Sequence, residues 1–235
     1  AGVERLNQVK HAKDFGVQLE GEIGFDIETL AKRRDKIVTT QRGGIGMLFK
    51  KNKIEHVEGF AKFVDKNTIE VEKDGQKRTI RAKNFVLAMG SSAIQIPIPG
   101  LEGGPENGVW TSDQAVSATK APKSMVIIGG GAVGTEFAYV FNGLGTEVPL
   151  VEIMDTLIPL SDKDLGVELG KQLGRQGIKV KTSSGVEKCE KTANGWKCTL
   201  KGGEVVEAEV VLLGVGRKAN TEGMNLEQIG IKLHK

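Results

Sequence analysis

Cysteine is scarce in this sequence. The 235 residues contain two cysteines, Cys189 and Cys198, which do not form a CxxC arrangement. No histidine lies close to them along the chain, so their spacing does not indicate a zinc site. We expect both thiols to pack as small apolar residues. Such low cysteine usage is typical of proteins from reducing compartments.

Long apolar runs and a strong excess of one charge are also absent. No stretch approaches the roughly 20 apolar residues needed to span a bilayer, and residues 1–15 lack the apolar core of a secretion signal. The chain has 33 basic and 30 acidic residues, for a net charge of +3. This balance gives no electrostatic case for binding nucleic acid or a membrane surface. A hydrophobic content of 39% suits a globular core.

The local patterns predict a mixed α/β chain. Apolar residues at helical spacing predict helices over residues 1–15, over residues 162–175, and from a cap at Asp26 to Phe49. An Asp74-Gly75 pair predicts a hairpin turn. Period-two or continuous apolar patterns predict strands at residues 54–57, 60–64, 68–71, 78–81, 84–88, 125–128, 147–151, 179–181, 186–191, 196–200, 205–211 and 210–213.

The strongest motif is a glycine-rich turn between a predicted strand and a predicted helix. The apolar run at residues 125–128 is followed by Gly129-Gly130-Gly131-Ala132-Val133-Gly134. In a dinucleotide-binding unit the first glycine allows the tight turn, the second lets the backbone approach a pyrophosphate, and the third lets helix and strand pack closely. Gly129, Gly131 and Gly134 occupy these positions. The pyrophosphate would lie at the helix N-terminus, where unpaired N–H groups favour an anion.

An acidic residue follows at the expected distance. Glu152 ends the next predicted strand, 18 positions after Gly134, close to the separation of about 20 in the fingerprint. A carboxylate there can accept both ribose hydroxyls of NAD and would repel the 2′-phosphate of NADP. No arginine follows in Ile153-Met154-Asp155 to hold such a phosphate. The sequence therefore favours NAD over NADP.

These residues, together with others along the chain, resemble the pyridine nucleotide-disulfide oxidoreductases. The resemblance extends over essentially the whole chain. It rests on Gly129–Glu136 (GGGAVGTE), Val151-Glu152, residues 86–91 (VLAMGS) and residues 211–221 (VLLGVGRKANT). Residues 41–50 (QRGGIGMLFK) are similar in particular to a helix of the family branch that oxidises dihydrolipoamide.

The resemblance implies an α/β fold in which a Rossmann-like NAD-binding domain is inserted in a partial FAD-binding domain of the same three-layer type. Residues 1–117 would form the C-terminal part of the FAD-binding domain, residues 118–220 the NAD-binding domain, and residues 221–235 the start of a central domain.

It also implies a set of cofactor-binding positions. Those for NAD are Gly129, Gly130, Gly131, Ala132, Val133, Gly134, Glu152, Val186 and Gly214. Those for FAD are Ala61, Met89, Gly90 and Ser91. Glu136 matches an acid that in the family pairs with a lysine beside the flavin. Met89 stands where the family usually has threonine, so the hydroxyl of that threonine has no counterpart here.

The activity implied is oxidation of protein-bound dihydrolipoamide, with electrons passing through FAD to NAD. The implied partners are the lipoyl-bearing acyltransferase of 2-oxo acid dehydrogenase complexes and a second copy in a homodimer. The implied compartment is the cytoplasm or the mitochondrial matrix.

Several parts of the family pattern have no match here. These are the FAD-binding glycine motif, the redox-active cysteine pair and the acid–base histidine, so we assign no catalytic residue. We expect the sequence to be a middle segment of the enzyme that does not turn over alone. Two alternatives stay open: a non-catalytic NAD-binding fragment, or another flavoprotein disulfide reductase of mercuric reductase or soluble transhydrogenase type.

Overall fold

The computed structural model describes residues 2–21 and 23–234. Within these ranges the α-helices are α1 (Gly2–Lys10), α2 (Ile27–Lys51), α3 (Ser112–Ser117), α4 (Ala132–Gly143) and α5 (Lys163–Arg175). The strands are β1 (Phe60–Asp65), β2 (Thr68–Lys73), β3 (Gln76–Arg81), β4 (Ser91–Ala93), β5 (Val109–Trp110), β6 (Met125–Ile128), β7 (Pro149–Val151), β8 (Lys179–Lys181), β9 (Val186–Thr192), β10 (Gly195–Leu200), β11 (Val205–Ala208), β12 (Val210–Leu213) and β13 (Arg217–Ala219).

The chain divides into two compact units. One consists of residues up to 35 together with residues 93–217, and the other consists of residues 36–92 together with the residues from 218 onward. The two units are defined by which residues lie close together in space. The division into FAD-binding, NAD-binding and central domains remains a prediction. None of the described helices combines the length and the apolarity that crossing a membrane requires.

A five-stranded parallel sheet forms the centre of the first unit, in the order β5-β12-β6-β7-β8. Every residue of β6 and of β12 is buried, as expected of strands covered on both faces. The chain leaves β6 toward β7 and β8 on one side, while β12 pairs with β6 on the other. This reversal of direction opens a crevice at the carboxyl ends of β6 and β12, where open α/β sheets bind ligands.

A second sheet of the same unit is antiparallel, in the order β11-β10-β9. It packs on the parallel sheet through an apolar cluster that includes Trp196, Cys198 and Val211. The indole N–H of Trp196 donates to the carbonyl of Asn107 at 2.9 Å, which satisfies its polar edge. The cysteines are 1% and 0% exposed, so the prediction that they pack in the core is confirmed.

The second unit contains the meander β1-β2-β3. The turn between β2 and β3 is Asp74-Gly75, with positive φ at both residues (51° and 78°), as a type I′ hairpin requires. Phe63 and Val71 face the same side and are buried. The hairpin predicted from the sequence is confirmed.

The helix predicted to start after Asp26 is also confirmed. The Asp26 carboxylate accepts hydrogen bonds from the backbone N–H groups of Glu28 (2.9 Å) and Thr29 (3.2 Å). These donors have no partner inside the helix, so the side chain satisfies them. The last turn of α2 carries Lys50 and Lys51, which favour the negative end of the helix dipole.

Two predicted strands are wrong. Residues 54–57 and 84–88 are irregular, because no strand of the described residues pairs with them. Val86 is 92% exposed, and Ile54 is 52% exposed. Phe85 in the second segment packs with its ring edge-on to Phe63, at 5.1 Å between the ring centroids. Apolar composition without a neighbouring ladder is therefore insufficient to form a strand here.

Candidate nucleotide-binding site

A cavity of about 580 Å³ opens at the carboxyl ends of β6 and β12 in the first unit. Its floor is built by the turn that follows β6 and by Gly214, which follows β12. Glu152 closes one side and Val186, the first residue of β9, contributes to the wall. The structure thus brings together residues that are up to 85 positions apart (129 and 214).

Gly129 and Gly134 are required by the backbone of the turn after β6, for two different reasons. Gly129 has φ +107°, a conformation that other residues rarely adopt. A Cβ on Gly134 would lie 1.8 Å from the carbonyl oxygen of Gly129. Gly129 therefore allows the turn, and Gly134 lets α4 begin directly against the end of β6.

Gly131 is different, because nothing crowds it. It occupies the N-cap of α4 with extended backbone angles (φ −72°, ψ −171°), and no side chain caps the helix there. A Cβ on Gly131 would meet no atom within 4 Å. Gly131, Ala132 and Val133 line the cavity, so the first turn of α4 presents backbone N–H groups and partial positive charge to an open space.

Gly130 has a role that the sequence motif does not assign. A Cβ at this position would lie 2.5 Å from Cδ2 of Leu157 and 2.9 Å from Cβ of Glu152. Its backbone N–H donates to Oε2 of Glu152 at 2.5 Å. The only sequence signal of this contact is that Gly130, the middle one of three consecutive glycines, is also glycine. Gly130 thus lets the turn and the acidic residue pack against each other.

The Glu152 carboxylate is held by backbone donors on both oxygens. Oε2 accepts from Gly130, and Oε1 accepts from the N–H of Met154 at 2.8 Å. Glu152 is 6% exposed, and in the described part of the chain no basic side chain forms an ion pair with it. A buried carboxylate needs hydrogen bonds to offset its desolvation. Two main-chain donors supply them while lone pairs remain for a ligand's hydroxyl groups.

The loop after β7 forms a part of the cavity wall that sequence reasoning missed. Ile153, Ile158, Pro159, Leu160 and Ser161 line the cavity from this loop. The backbone N–H of Ile158 donates to the carbonyl of Gly130 at 2.8 Å, which ties the loop to the glycine turn. Irregular loops carry no periodic signal, so nothing in the sequence points to these residues.

The remaining predicted positions lie elsewhere. Ala61 (in β1), Met89, Gly90 and Ser91 belong to the second unit. There the side-chain amide of Asn220 donates to the carbonyl of Met89, and the backbone N–H of Asn220 donates to the carbonyl of Gly90, both at 3.1 Å.

Glu136 is exposed on α4 and does not line the cavity. Over residues 2–21 and 23–234, no group of three or more His, Cys, Asp or Glu could hold a metal.

Residues 5–235 match the family of pyridine nucleotide-disulphide oxidoreductases. The chain belongs to this family, whose members are NAD-dependent flavoproteins that use FAD and NAD. The predicted fold class, with Rossmann-type α/β architecture, is confirmed.

Its relatives include enzymes that act on dihydrolipoamide. The dihydrolipoyl dehydrogenase of Acholeplasma laidlawii is 37% identical over 98% of this chain and 67% of the relative. The dihydrolipoamide dehydrogenase of Chaetomium thermophilum is 38% identical over 97% of this chain and 45% of the relative. The dihydrolipoyl dehydrogenase of Bacillus subtilis is 34% identical over 96% and 49%. The chain therefore spans two thirds of the first of these relatives and about half of the others.

A solved structure shows the same fold. LpdA from Mycobacterium tuberculosis superposes with a TM-score of 0.86 at 20% identity, covering 99% of this chain and 50% of that one. At this identity the likeness supports the fold and no finer property.

Proposed function

We propose that this chain is the NAD-binding and part of the FAD-binding portion of a dihydrolipoyl dehydrogenase. The observation that carries the proposal is the open space beside Gly131, with Glu152 fixed at the side of the same cavity by two backbone hydrogen bonds. The names of the relatives supply the substrate class, dihydrolipoamide.

The residues present fit a dinucleotide. The pyrophosphate would lie against the first turn of α4, where Gly131 leaves room and the helix N-terminus favours an anion. The adenosine ribose would bond to the Glu152 carboxylate, and Val186 and Gly214 would line the two ends of the bound cofactor. When bound, NAD supplies the carbon that accepts a hydride. The chain's own contribution is to fix the dinucleotide's position at the mouth of the cavity.

NAD rather than NADP is the dinucleotide that these charges favour. A 2′-phosphate would approach the buried Glu152 carboxylate at a few ångströms, where like charges repel strongly in a partly desolvated site. None of the residues that line the cavity, within the part of the chain the structure describes, is basic. The site therefore has nothing to neutralise the additional phosphate.

We extend the proposal to the rest of the chain. Residues 1–117 belong to an FAD-binding domain, residues 118–220 to the NAD-binding domain and residues 221–235 to the start of a central domain. Ala61, Met89, Gly90 and Ser91 would contact FAD, and Glu136 would pair with a lysine beside it. The apolar side chains left exposed in the second unit, such as Val86 at 92%, support a larger fold around these positions.

The intact enzyme would form a homodimer in the cytoplasm or mitochondrial matrix and act on the lipoyl-bearing acyltransferase of 2-oxo acid dehydrogenase complexes. This chain on its own would bind NADH without catalysing lipoamide turnover, because its two cysteines form a buried pair in one hairpin. An NADH assay with lipoamide checks this: flavin-linked turnover by the isolated chain contradicts it.

The substitution Glu152→Gln tests the NAD site. It removes the charge and one acceptor, so NADH affinity measured by calorimetry should fall about 10- to 100-fold, the range for a hydrogen bond to a charged group. The preference for NADH over NADPH should shrink as well, because the repulsion is gone.

Glu147→Gln is the matched control. Glu147 lies just before β7, and its exposed carboxylate pairs with Lys179 at the surface, where such pairs contribute little. Its NADH affinity should stay within about twofold of the unsubstituted chain. If folded Glu152→Gln protein binds NADH as well as this control, the assignment of Glu152 is wrong.

A further inference from the structure

The two cysteines face each other across neighbouring strands. Cys189 of β9 pairs with Cys198 of β10 in the antiparallel register. Their sulfur atoms are 2.6 Å apart, closer than the roughly 3.5–4.0 Å at which non-bonded heavy atoms usually rest. The thiols are free and buried in the cluster between the two sheets.

The backbone geometry of this pair suits a covalent link. Antiparallel strands alternate between hydrogen-bonded and non-hydrogen-bonded pairs, and in the second kind the Cα atoms are about 4.5 Å apart, within the range found in disulfides. The N–H of Cys189 donates to the carbonyl of Pro99 at 2.8 Å, on the side of β9 away from β10. Cys189 and Cys198 therefore form a non-hydrogen-bonded pair.

The strand that carries Cys189 is held in place from its other edge. A Cβ on Gly100 would lie 2.0 Å from the carbonyl oxygen of Cys189, so the backbone at Pro99-Gly100 lies directly against β9. This contact and the hydrogen bond from Cys189 fix the strand independently of β10. The two sulfur atoms are consequently presented to each other by a preformed framework, and closing the bond needs little backbone movement.

We propose that Cys189 and Cys198 are a redox modification site, in which a peroxide oxidant converts the two thiols into a reversible disulfide that joins β9 to β10. Nothing in this proposal depends on the identity of the dinucleotide or of the disulfide substrate. It concerns a cysteine pair separate from any disulfide that takes part in substrate turnover.

The oxidation balances in two steps. The Cys189 sulfur attacks the peroxide, an S–O bond forms, the O–O bond breaks, and one water leaves together with the thiol proton. The Cys198 sulfur then attacks the sulfenic acid, an S–S bond forms, the S–O bond breaks and a second water leaves. Two thiols are oxidised by two electrons and hydrogen peroxide is reduced to water. An added dithiol reverses the reaction by thiol–disulfide exchange.

The order of the two steps follows from the contact between the thiols. The hydrogen bond from Cys198 lowers the pKa of Cys189, whereas the contact with Cys189 and burial raise the pKa of Cys198. Cys189 is therefore the first to react and Cys198 resolves the sulfenic acid. Because the two cysteines are 1% and 0% exposed, the reaction proceeds through a transient local opening of the hairpin, and hydrogen peroxide is small enough to enter through such an opening.

The disulfide would lie next to the cavity. β9 begins at Val186, which lines the cavity, and the core cluster that contains both cysteines also contains Ile128 and Val151 of the cavity wall. Joining β9 to β10 would fix the strand that presents Val186. Oxidation would thus stabilise the wall of the site as well as the hairpin.

Peptide mapping of the oxidised chain tests the proposal directly. The full chain is treated with hydrogen peroxide, its remaining thiols are blocked under denaturing conditions, and it is cleaved with trypsin. Lysines flank both cysteines, so cleavage yields the separate peptides 189–191 and 198–201. We expect these peptides as one linked species, two hydrogens lighter than their sum, which a dithiol separates again. Two blocked thiols, a sulfinic acid on either cysteine or a link between chains would overturn the proposal.

Thermal unfolding provides a second, independent readout. A cross-link over the short segment 189–198 should raise the Tm of the oxidised chain by about 5–10 °C relative to the reduced chain. The variant Cys198→Ser, compared with itself before and after peroxide treatment, should show no such rise. An equal rise in this variant, or none in the unsubstituted chain after linkage, would overturn the stabilising role.

Discussion

Gly134 should be the most sensitive position of the glycine turn for folding. In Gly134→Ala the new methyl carbon would lie 1.8 Å from the carbonyl oxygen of Gly129 and 3.4 Å from Cγ2 of Ile127. A carbon and an oxygen come to rest no closer than about 3.3 Å. The start of α4 must therefore move away from β6 by on the order of 1 Å or more.

The size of the effect follows from the nature of the contact. Overpacking usually costs about 1–3 kcal/mol, and here the clashing atom belongs to the main chain, so no rotamer change relieves it. We therefore expect Gly134→Ala to lose about 3 kcal/mol, the upper part of that range. For a chain of this size such a loss lowers the Tm by about 6–12 °C. NADH affinity should fall too, because the displaced turn builds the floor of the cavity.

Gly131→Ala is the matched control, with the same chemical change three positions earlier. Its backbone angles are allowed for alanine, and its Cβ would meet no atom within 4 Å. The lower entropy of the unfolded chain and the weaker N-cap preference of alanine roughly offset each other. We expect the Tm to change by less than about 2 °C, while NADH affinity falls about tenfold or more because the methyl occupies the pyrophosphate's approach.

Differential scanning calorimetry and NADH titration on both variants separate the two roles. The expected pattern is a large loss of Tm for Gly134→Ala alone and a loss of NADH affinity for both variants. A Gly134→Ala variant with unchanged Tm would show that the close approach of α4 to β6 is not required. A Gly131→Ala variant that binds NADH normally would show that the open space beside it does not receive the dinucleotide.

Two further predictions concern backbone strain and helix capping. Ile158 has φ +43°, a conformation that costs a β-branched residue about 1–2 kcal/mol. The variant Ile158→Asn should therefore keep or raise the Tm, although it loses an apolar side chain. A clear fall in Tm would show that the strain is absent. The hydroxyl and then the backbone N–H of Thr29 lower the pKa of Asp26, so this cap stabilises α2 above the carboxyl's unfolded pKa and is lost as pH falls through the depressed value. The protection factors of the Glu28 and Thr29 amides, that is, their exchange rates relative to an unstructured peptide at the same pH, should fall on acidification, and unchanged protection in Asp26→Ala would contradict the cap.

Much of the site could be predicted because its signals are local. The turn from Gly129 to Gly134 is specified by glycines at fixed spacing between a continuous apolar strand and a helix. Glu152 follows from the length of the intervening helix and strand. The hairpin at Asp74-Gly75 is local in the same sense, since two residues with positive φ determine it. Each of these features depends on contacts between residues close in sequence.

The contact between the two cysteines could not be predicted from local sequence signals. Composition predicts that two thiols pack in the core, and the structure confirms it. Their direct opposition depends on the register of β9 against β10, which is set by the length of the hairpin turn between them. A shift of the register by one residue would direct one of the sulfur atoms away from the other. The contact is thus a property of the pairing and not of either cysteine.

The two strand predictions that are wrong, at residues 54–57 and 84–88, also failed because strand formation depends on non-local pairing. Val86 and Leu87 lie in an apolar segment whose composition is typical of a buried strand, yet both are exposed. A strand exists only where a neighbour accepts and donates its main-chain hydrogen bonds, and the described residues provide none for this segment. By contrast, Val210–Leu213 is an equally short apolar run that does become a strand, since β6 and β5 lie on either side of it. Apolar composition therefore predicts that a segment is suited to burial, while the rest of the fold decides whether a ladder forms.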